Sequence, residues 1–222
     1  PEAHEMAQPI PGAHSDRLCM WAAEYGLYVC AGLTERDGGK LYNTAVLIDK
    51  RGKLLGKHRK INLLTEIEGS GLYSVGSKLE VFDTELGKLG IDICADNARS
   101  SMVLGEALCR MGAEIILSPS SWAVPADSRR AYYGAEWYEP YGKLAKLYGV
   151  PVVGVSNVGP VTGGAWAGWK CIGNSIALFG DGESGVTLPY GEDAVCLRII
   201  DVPLRKDSRY GTALATEVEA AR

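Results

Sequence analysis

Cys94 follows the apolar run Leu89-Gly90-Ile91-Asp92-Ile93 and precedes Ala95-Asp96-Asn97, a pattern that reads as a buried strand handing over to a helix. A thiol at such a junction meets the unpaired backbone N–H groups of the helix N-terminus. Their partial positive charge favours the thiolate and can receive an oxyanion. Two residue types able to serve such a nucleophile stand elsewhere: Lys60, closing the basic run Lys57-His58-Arg59-Lys60, and Glu2 at the start of the chain. A cation beside a thiolate lowers its pKa and stabilises a developing oxyanion, and a carboxylate can carry a proton. Each also has an ordinary explanation: a core cysteine, a solvated basic face, a frayed terminal carboxylate. Position separates Cys94 from the other thiols, because ligands bind at the carboxyl ends of strands in α/β sheets.

The elements that must position these groups follow from periodicity and from glycine punctuation. A helix is expected over 15–25, with Leu18, Cys19, Trp21 and Ala22 inward and Gly26 ending it. Strands over 27–33, 41–49 and 53–57, separated by Gly-containing turns, read as an antiparallel meander. An irregular loop occupies 61–77. Strands over 79–82 and 89–93 come next, then a helix over 98–111 capped by Asp96 or Asn97 and stopped by Gly112. A strand over 113–117, a long helix over 128–148, a strand over 151–155, a Gly-rich loop over 160–168 and strands over 176–179 and 194–202 complete an α/β pattern. One domain over 1–205 is expected, with 206–222 as a polar, then Ala- and Glu-rich, tail.

The chain has 222 residues, 46% of them hydrophobic, which suits one domain with a sizeable core. A net charge of −4 gives no basic surplus for nucleic acid, and no apolar run is long enough to cross a bilayer. The six cysteines are scattered without a CxxC pair, so neither a disulfide framework nor a zinc site is indicated, and a reducing, cytoplasmic setting is the simplest reading. The three histidines show no metal-ligand spacing.

Several short segments, taken in order, resemble the nitrilase, or carbon–nitrogen hydrolase, superfamily. They are Pro1-Glu2, Asn43-Thr44-Ala45, Lys57 to Leu63, Gly90-Ile91-Asp92-Ile93-Cys94-Ala95-Asp96, Ser118-Pro119-Ser120-Ser121-Trp122, Val155-Ser156-Asn157-Val158-Gly159 and Gly173-Asn174-Ser175. The resemblance runs from Pro1 to about Val202. It implies a four-layer α–β–β–α sandwich, here lacking the strand–helix–strand that precedes Pro-Glu in the family. It implies Glu2, ending a strand, as general base, Lys60 as oxyanion stabiliser, Cys94 as nucleophile and the Ala95 backbone N–H as a second oxyanion donor. No cofactor or metal is called for. Family members pair through the helices after the nucleophile and after Trp122, so a homodimer or larger homo-oligomer is expected.

Three departures stand out. The family's second glutamate has no match at the usual distance before Tyr73-Ser74-Val75-Gly76; Glu68 is taken for it, with Glu66 the other option. Arg99 is displaced by one residue, behind Ala98. Cys94-Ala95-Asp96 differs from the Cys-Trp-Glu of true nitrilases, and Asp96-Asn97-Ala98-Arg99-Ser100 also departs from the carbamoylase and ω-amidase patterns, so no branch is matched closely and an amide substrate is the expectation. Ser121 and Trp122 are the expected pocket residues. Trp122 and Tyr132, Tyr133, Trp137 and Tyr138 can line a pocket, although such aromatics are more often core or interface residues. The expected activity is cleavage of a non-peptide C–N bond of a small amide through a cysteine thioester. Nitrile hydrolysis, acyl transfer, or a non-catalytic binding module on this fold are the alternatives.

Overall fold

The computed structural model describes residues 2–68, 71–128 and 135–204, apart from the side chains of Glu2 and Ala135. In it, β1 (Val29–Asp37), β2 (Lys40–Ile48) and β3 (Leu54–Arg59) form the antiparallel meander. A second sheet has six strands in the order β12 (Gly185–Thr187), β11 (Ile176–Leu178), β8 (Val152–Ser156), β6 (Ile115–Ser120), β5 (Gly87–Ile91) and β4 (Val81–Thr84). Its centre, β5–β6–β8, is parallel, while β4, β11 and β12 join antiparallel. A small sheet of β7 (Ala123–Pro125), β10 (Trp169–Ile172) and β9 (Val158–Pro160) lies beyond the end of β6.

Strand alternation sorts the apolar residues into layers. Along β2, Ala45 and Leu47 point into the space between the sheets, where they meet Phe82, Leu89, Ile91 and Ile115. Val46 and Ile48 point the other way, onto Ala22 and Leu18 of helix α2 (Ala13–Tyr25). Along β6, Ile115 faces the first sheet, whereas Ile116 packs with Leu108 of α3 (Val103–Arg110) and Leu144 of α4 (Ala135–Tyr148). The order is therefore helix, sheet, sheet, helices: the four-layer α–β–β–α sandwich. Both faces of the central strands are covered, which is why they read as continuous apolar runs.

Four expectations on the elements are corrected. Trp21 faces outward, 46% exposed, with Arg17 over its ring. The helix expected over 98–111 is two elements, a 3₁₀ turn Cys94–Asn97 and α3. The bridge Ala98↔Ser101 separates them, and the Asp96 side chain closes the turn on Ile93 N–H while also holding the Ile61 and Asn62 N–H groups of another loop. Residues 194–202 form no strand; Val195, Leu197 and Ile199 stand exposed, and an extended segment without a partner edge has no ladder to join. Glu2 opens a short helix, α1 (Glu2–Met6), where the resemblance implied a strand end. The tail over 206–222 lies outside the described residues.

The sandwich brings several carboxyl-terminal strand ends to one place. β5 leads to Cys94, β3 to Lys60, β6 to Ser120 and Ser121, and β8 to Ser156 and Asn157; all but the sheet positions themselves lie on irregular backbone.

Candidate active site

Beyond Ile91 the chain makes one more sheet contact, Asp92 N–H to the Leu117 carbonyl at 3.2 Å, and then turns sharply. Cys94 takes φ +48°, and among the described non-glycine residues only Asn174, at +54°, also has a positive φ. Such a conformation costs about 1–3 kcal/mol and persists where its surroundings over-determine it. It carries the half-buried sulfur to the wall of a cavity of about 710 Å³ that Lys60, Glu68, Asn43, Tyr73 and Trp166 also line.

Burial pushes the Cys94 thiol above its ordinary pKa. The Lys60 charge pulls it down, as do hydrogen bonds from the Trp137 side chain and the Ala95 backbone, while Glu68 pushes it up. The expectation of a favoured thiolate is thus corrected. A four-residue 3₁₀ turn aligns few peptide dipoles, and desolvation outweighs them. A thiol held in this way needs a base before it can attack.

Lys60 is only 2% exposed. Its backbone is held on both sides, N–H to the Asn43 carbonyl at 2.8 Å and carbonyl to the Gly76 N–H at 2.9 Å. Its ammonium donates to Glu68 Oε2. Glu68 accepts also from Asn43 Nδ2 at 2.7 Å and from the Leu64 N–H at 2.9 Å. Each buried charge thus has a partner, and the carboxylate has further donors, which is the condition for keeping an ion pair out of water. Glu66 is exposed. The role of Asn43 in orienting Glu68 was hidden in the sequence, although the Asn-x-Ala pattern marked the residue.

The Glu2 side chain lies outside the described residues. Its helix packs beside the edge of β1, where the Gln8 N–H reaches the Thr34 carbonyl at 3.3 Å and the Arg36 N–H reaches the Gln8 carbonyl at 2.9 Å; Thr34 lines the cavity. Ser121 lines the cavity too, its hydroxyl donating to Asn157 Oδ1 at 2.9 Å. Trp122 does not. It is 1% exposed and stacks on Trp137, ring centroids 4.3 Å apart, behind Cys94. Gly154 leaves room for the Trp122 and Tyr141 rings: a Cβ there would stand 2.7 Å from Tyr141 and 3.3 Å from Trp122. Trp166, on the Gly-rich loop, reaches the cavity and stacks on Trp169 at 4.7 Å; nothing in the local sequence singled it out. Tyr132 and Tyr133 lie outside the described residues. Among the described residues no group of three His, Cys, Asp or Glu side chains is placed to hold a metal, and no helix is long and apolar enough to cross a membrane.

Asp92, fully buried beneath the turn, offers a test of this electrostatic picture. Burial pushes its carboxyl up to about 7 from 3.8, the Ser118 hydroxyl opposing and the Asp96 charge adding. An acid whose folded pKa is raised keeps its proton in the folded chain after the unfolded chain has lost it, so stability falls as pH rises from about 4 to about 7. Asp92→Asn removes this loss. Urea unfolding should show the variant gaining about 3 kcal/mol on wild type between pH 5 and pH 8; an equal difference at both values would mean that Asp92 is not a buried neutral acid.

A family model described as Carbon-nitrogen hydrolase matches residues 1–210. Over 130 residues the chain is 41% identical to the bifunctional nitrilase/nitrile hydratase NIT4A of Nicotiana tabacum, covering 57% of this chain and 34% of that protein. Over 126 residues it is 34% identical to the omega-amidase NIT2 of Xenopus tropicalis, covering 53% of this chain and 45% of that protein. The matches therefore span between about a third and about a half of these curated relatives' own length. Among solved structures, Saccharomyces cerevisiae Nit3, a member of branch 10 of the nitrilase superfamily, superposes with a TM-score of 0.69 at 26% identity, covering 85% of this chain and 66% of that one. A carbon–nitrogen hydrolase from Helicobacter pylori G27 gives a TM-score of 0.69 at 22% identity, covering 80% and 62%, and shares the fold. With the family model running through nearly the whole sequence and the same sandwich in solved members, the chain belongs to the carbon–nitrogen hydrolase family.

Proposed function

We propose that the chain is a thiol hydrolase that cleaves the C–N bond of a small amide through a thioester on Cys94. The observation that carries this reading is a single cavity walled by a cysteine on a strained turn and by a buried lysine held by a buried glutamate. Glu2 takes the thiol proton, and the sulfur adds to the amide carbon. The Lys60 ammonium and the Ala95 N–H receive the oxyanion. Protonated Glu2 gives its proton to the nitrogen as the C–N bond breaks, and ammonia or an amine leaves. Glu2 then takes a proton from water, whose oxygen attacks the thioester, and Cys94 leaves as the thiol, regaining that proton. Glu68 keeps Lys60 aimed at the reacting centre. A nitrile could enter the same site, and the 41% identity to the tobacco nitrilase/nitrile hydratase segment favours keeping it as a second reading.

The test is ammonia release from matched aliphatic and aromatic amides and nitriles, with rapid quenching and mass analysis of the Cys94 peptide. Hydrolysis of an amide with the acyl mass on Cys94 is expected. Absence of both turnover and adduct across the panel would leave a non-catalytic module on this fold.

A further inference from the structure

Asp96 is fully buried, two residues after the nucleophile, and its carboxylate ties together two segments that are far apart in sequence. Oδ1 accepts from the consecutive backbone N–H groups of Ile61, at 3.0 Å, and Asn62, at 2.7 Å. Oδ2 accepts from the Ile93 N–H at 3.0 Å and lies 2.7 Å from His58 Nε2. With three backbone donors already on it, the carboxylate is an acceptor throughout, so His58 donates from Nε2. Asn62 adds a second tie, its Nδ2 donating to the Ala95 carbonyl. One side chain therefore closes the turn that carries Cys94 and grips the two residues that follow Lys60.

We propose that Asp96 is a positioning residue that sets the distance between the Lys60 ammonium and the Cys94 sulfur, with His58 locking its second oxygen. The proposal rests on the roles given to Lys60 and Cys94 above. A carboxylate suits the task because both of its oxygens accept. An asparagine would present its amide N–H₂ either to Ile93 N–H or to the Ile61 and Asn62 N–H groups, donor against donor, and one half of the clamp would open. A displacement of about 1 Å between reacting groups can cost about 10²-fold in rate. The ionisable groups facing the sulfur are Lys60 and Glu68 from the loop after β3 and Tyr141 from α4; those facing Asp96 are His58 and Asp92.

The experiment measures the pH dependence of Cys94 alkylation by iodoacetamide, located by mass spectrometry, together with kcat and KM on an amide substrate. For Asp96→Asn, kcat should fall about 10²-fold with KM within about threefold, and the alkylation profile should move to higher pH as Lys60 draws away from the sulfur. His58→Leu should move the profile the same way, and His58→Gln, which keeps an N–H near the Nε2 position, should recover most of the loss. This pair decides the matter if Asp96→Asn does not fold. A folded Asp96→Asn whose kcat and profile both stay within twofold of wild type overturns the clamp, as does a His58→Gln no better than His58→Leu. Alkylation needs no turnover. A wild type without amidase activity whose profile still moves in the variants would fault the hydrolase reading and keep the clamp.

Discussion

Cys94→Ser should fold as the wild type does and lose at least about 10³-fold in kcat/KM on whichever amide proves to be the substrate. The loss follows from the surroundings of the sulfur. Burial already holds the thiol above its ordinary pKa, with Lys60 as the main opposing charge. A hydroxyl starts many units higher than a thiol, so the same base and the same lysine cannot bring it to a useful fraction of alkoxide. The backbone asks nothing different of serine: φ is +48° whichever side chain stands there, and the half-buried position leaves only a small packing change. Circular dichroism and Tm should therefore stay close to wild type while turnover and the acyl adduct on residue 94 disappear. Activity within tenfold of wild type would mean that the attacking atom is not the Cys94 sulfur.

The strands β1 to β6, β8 and β11 were legible from their apolar runs, while the three- and four-residue strands β7, β9, β10 and β12 were not. Ala45 to Ile48 reads as one apolar run since β2 is covered on both faces, by Leu89 and Ile91 on one side and Ala22 on the other. The shift from apolar run to Cys94 and then to Asp96 and Asn97 marked the end of a strand, and the strand ends there, but in a 3₁₀ turn and not in the helix that was expected. What could not be read depends on contacts between distant segments. The thiol's direction of shift is decided by burial that β6, α4 and the Lys60 loop provide together. The indole of Trp137 reaches Cys94 from another layer, so its aromatic character alone could not separate pocket from core. Trp21 fits a helical stripe with Ala22, yet the inward sector of α2 is filled by Leu18, Cys19 and Ala22, and the larger ring is left outside. Asp96 closes the 3₁₀ turn on Ile93 and also binds Ile61 and Asn62, residues more than thirty positions earlier, and no capping rule applied to 94–111 contains that second partner. Asn43 and Glu68 are separated in the same way, and only the fold makes one the orienting donor of the other.

Lys60→Met and Glu68→Gln form the second large test, because here stability and activity should part. Lys60 is 2% exposed, and Glu68 is buried against it. Removing the lysine alone leaves a buried carboxylate with only Asn43 Nδ2 and the Leu64 N–H for company, and breaking a buried pair on one side costs about 3–5 kcal/mol. Changing both partners removes the charge that was stranded. The double variant should therefore be more stable than Lys60→Met by at least about 2 kcal/mol, a favourable coupling that a double-mutant cycle in urea would read directly. Activity should show no such recovery. Under the proposed mechanism Lys60 is the only cation among the described lining residues that can meet the oxyanion, and removal of one preorganised donor of this kind costs about 10²–10³-fold in kcat. Glu68→Gln alone completes the argument. If Glu68 serves only to hold Lys60, the amide keeps an oxygen for the ammonium, and kcat should fall far less than in Lys60→Met. If Glu68→Gln is as inactive as Lys60→Met while the Cys94 alkylation profile does not move to higher pH, Lys60 is still charged and in place, Glu68 itself carries a proton during the reaction, and the assignment of proton transfer to Glu2 would have to be given up.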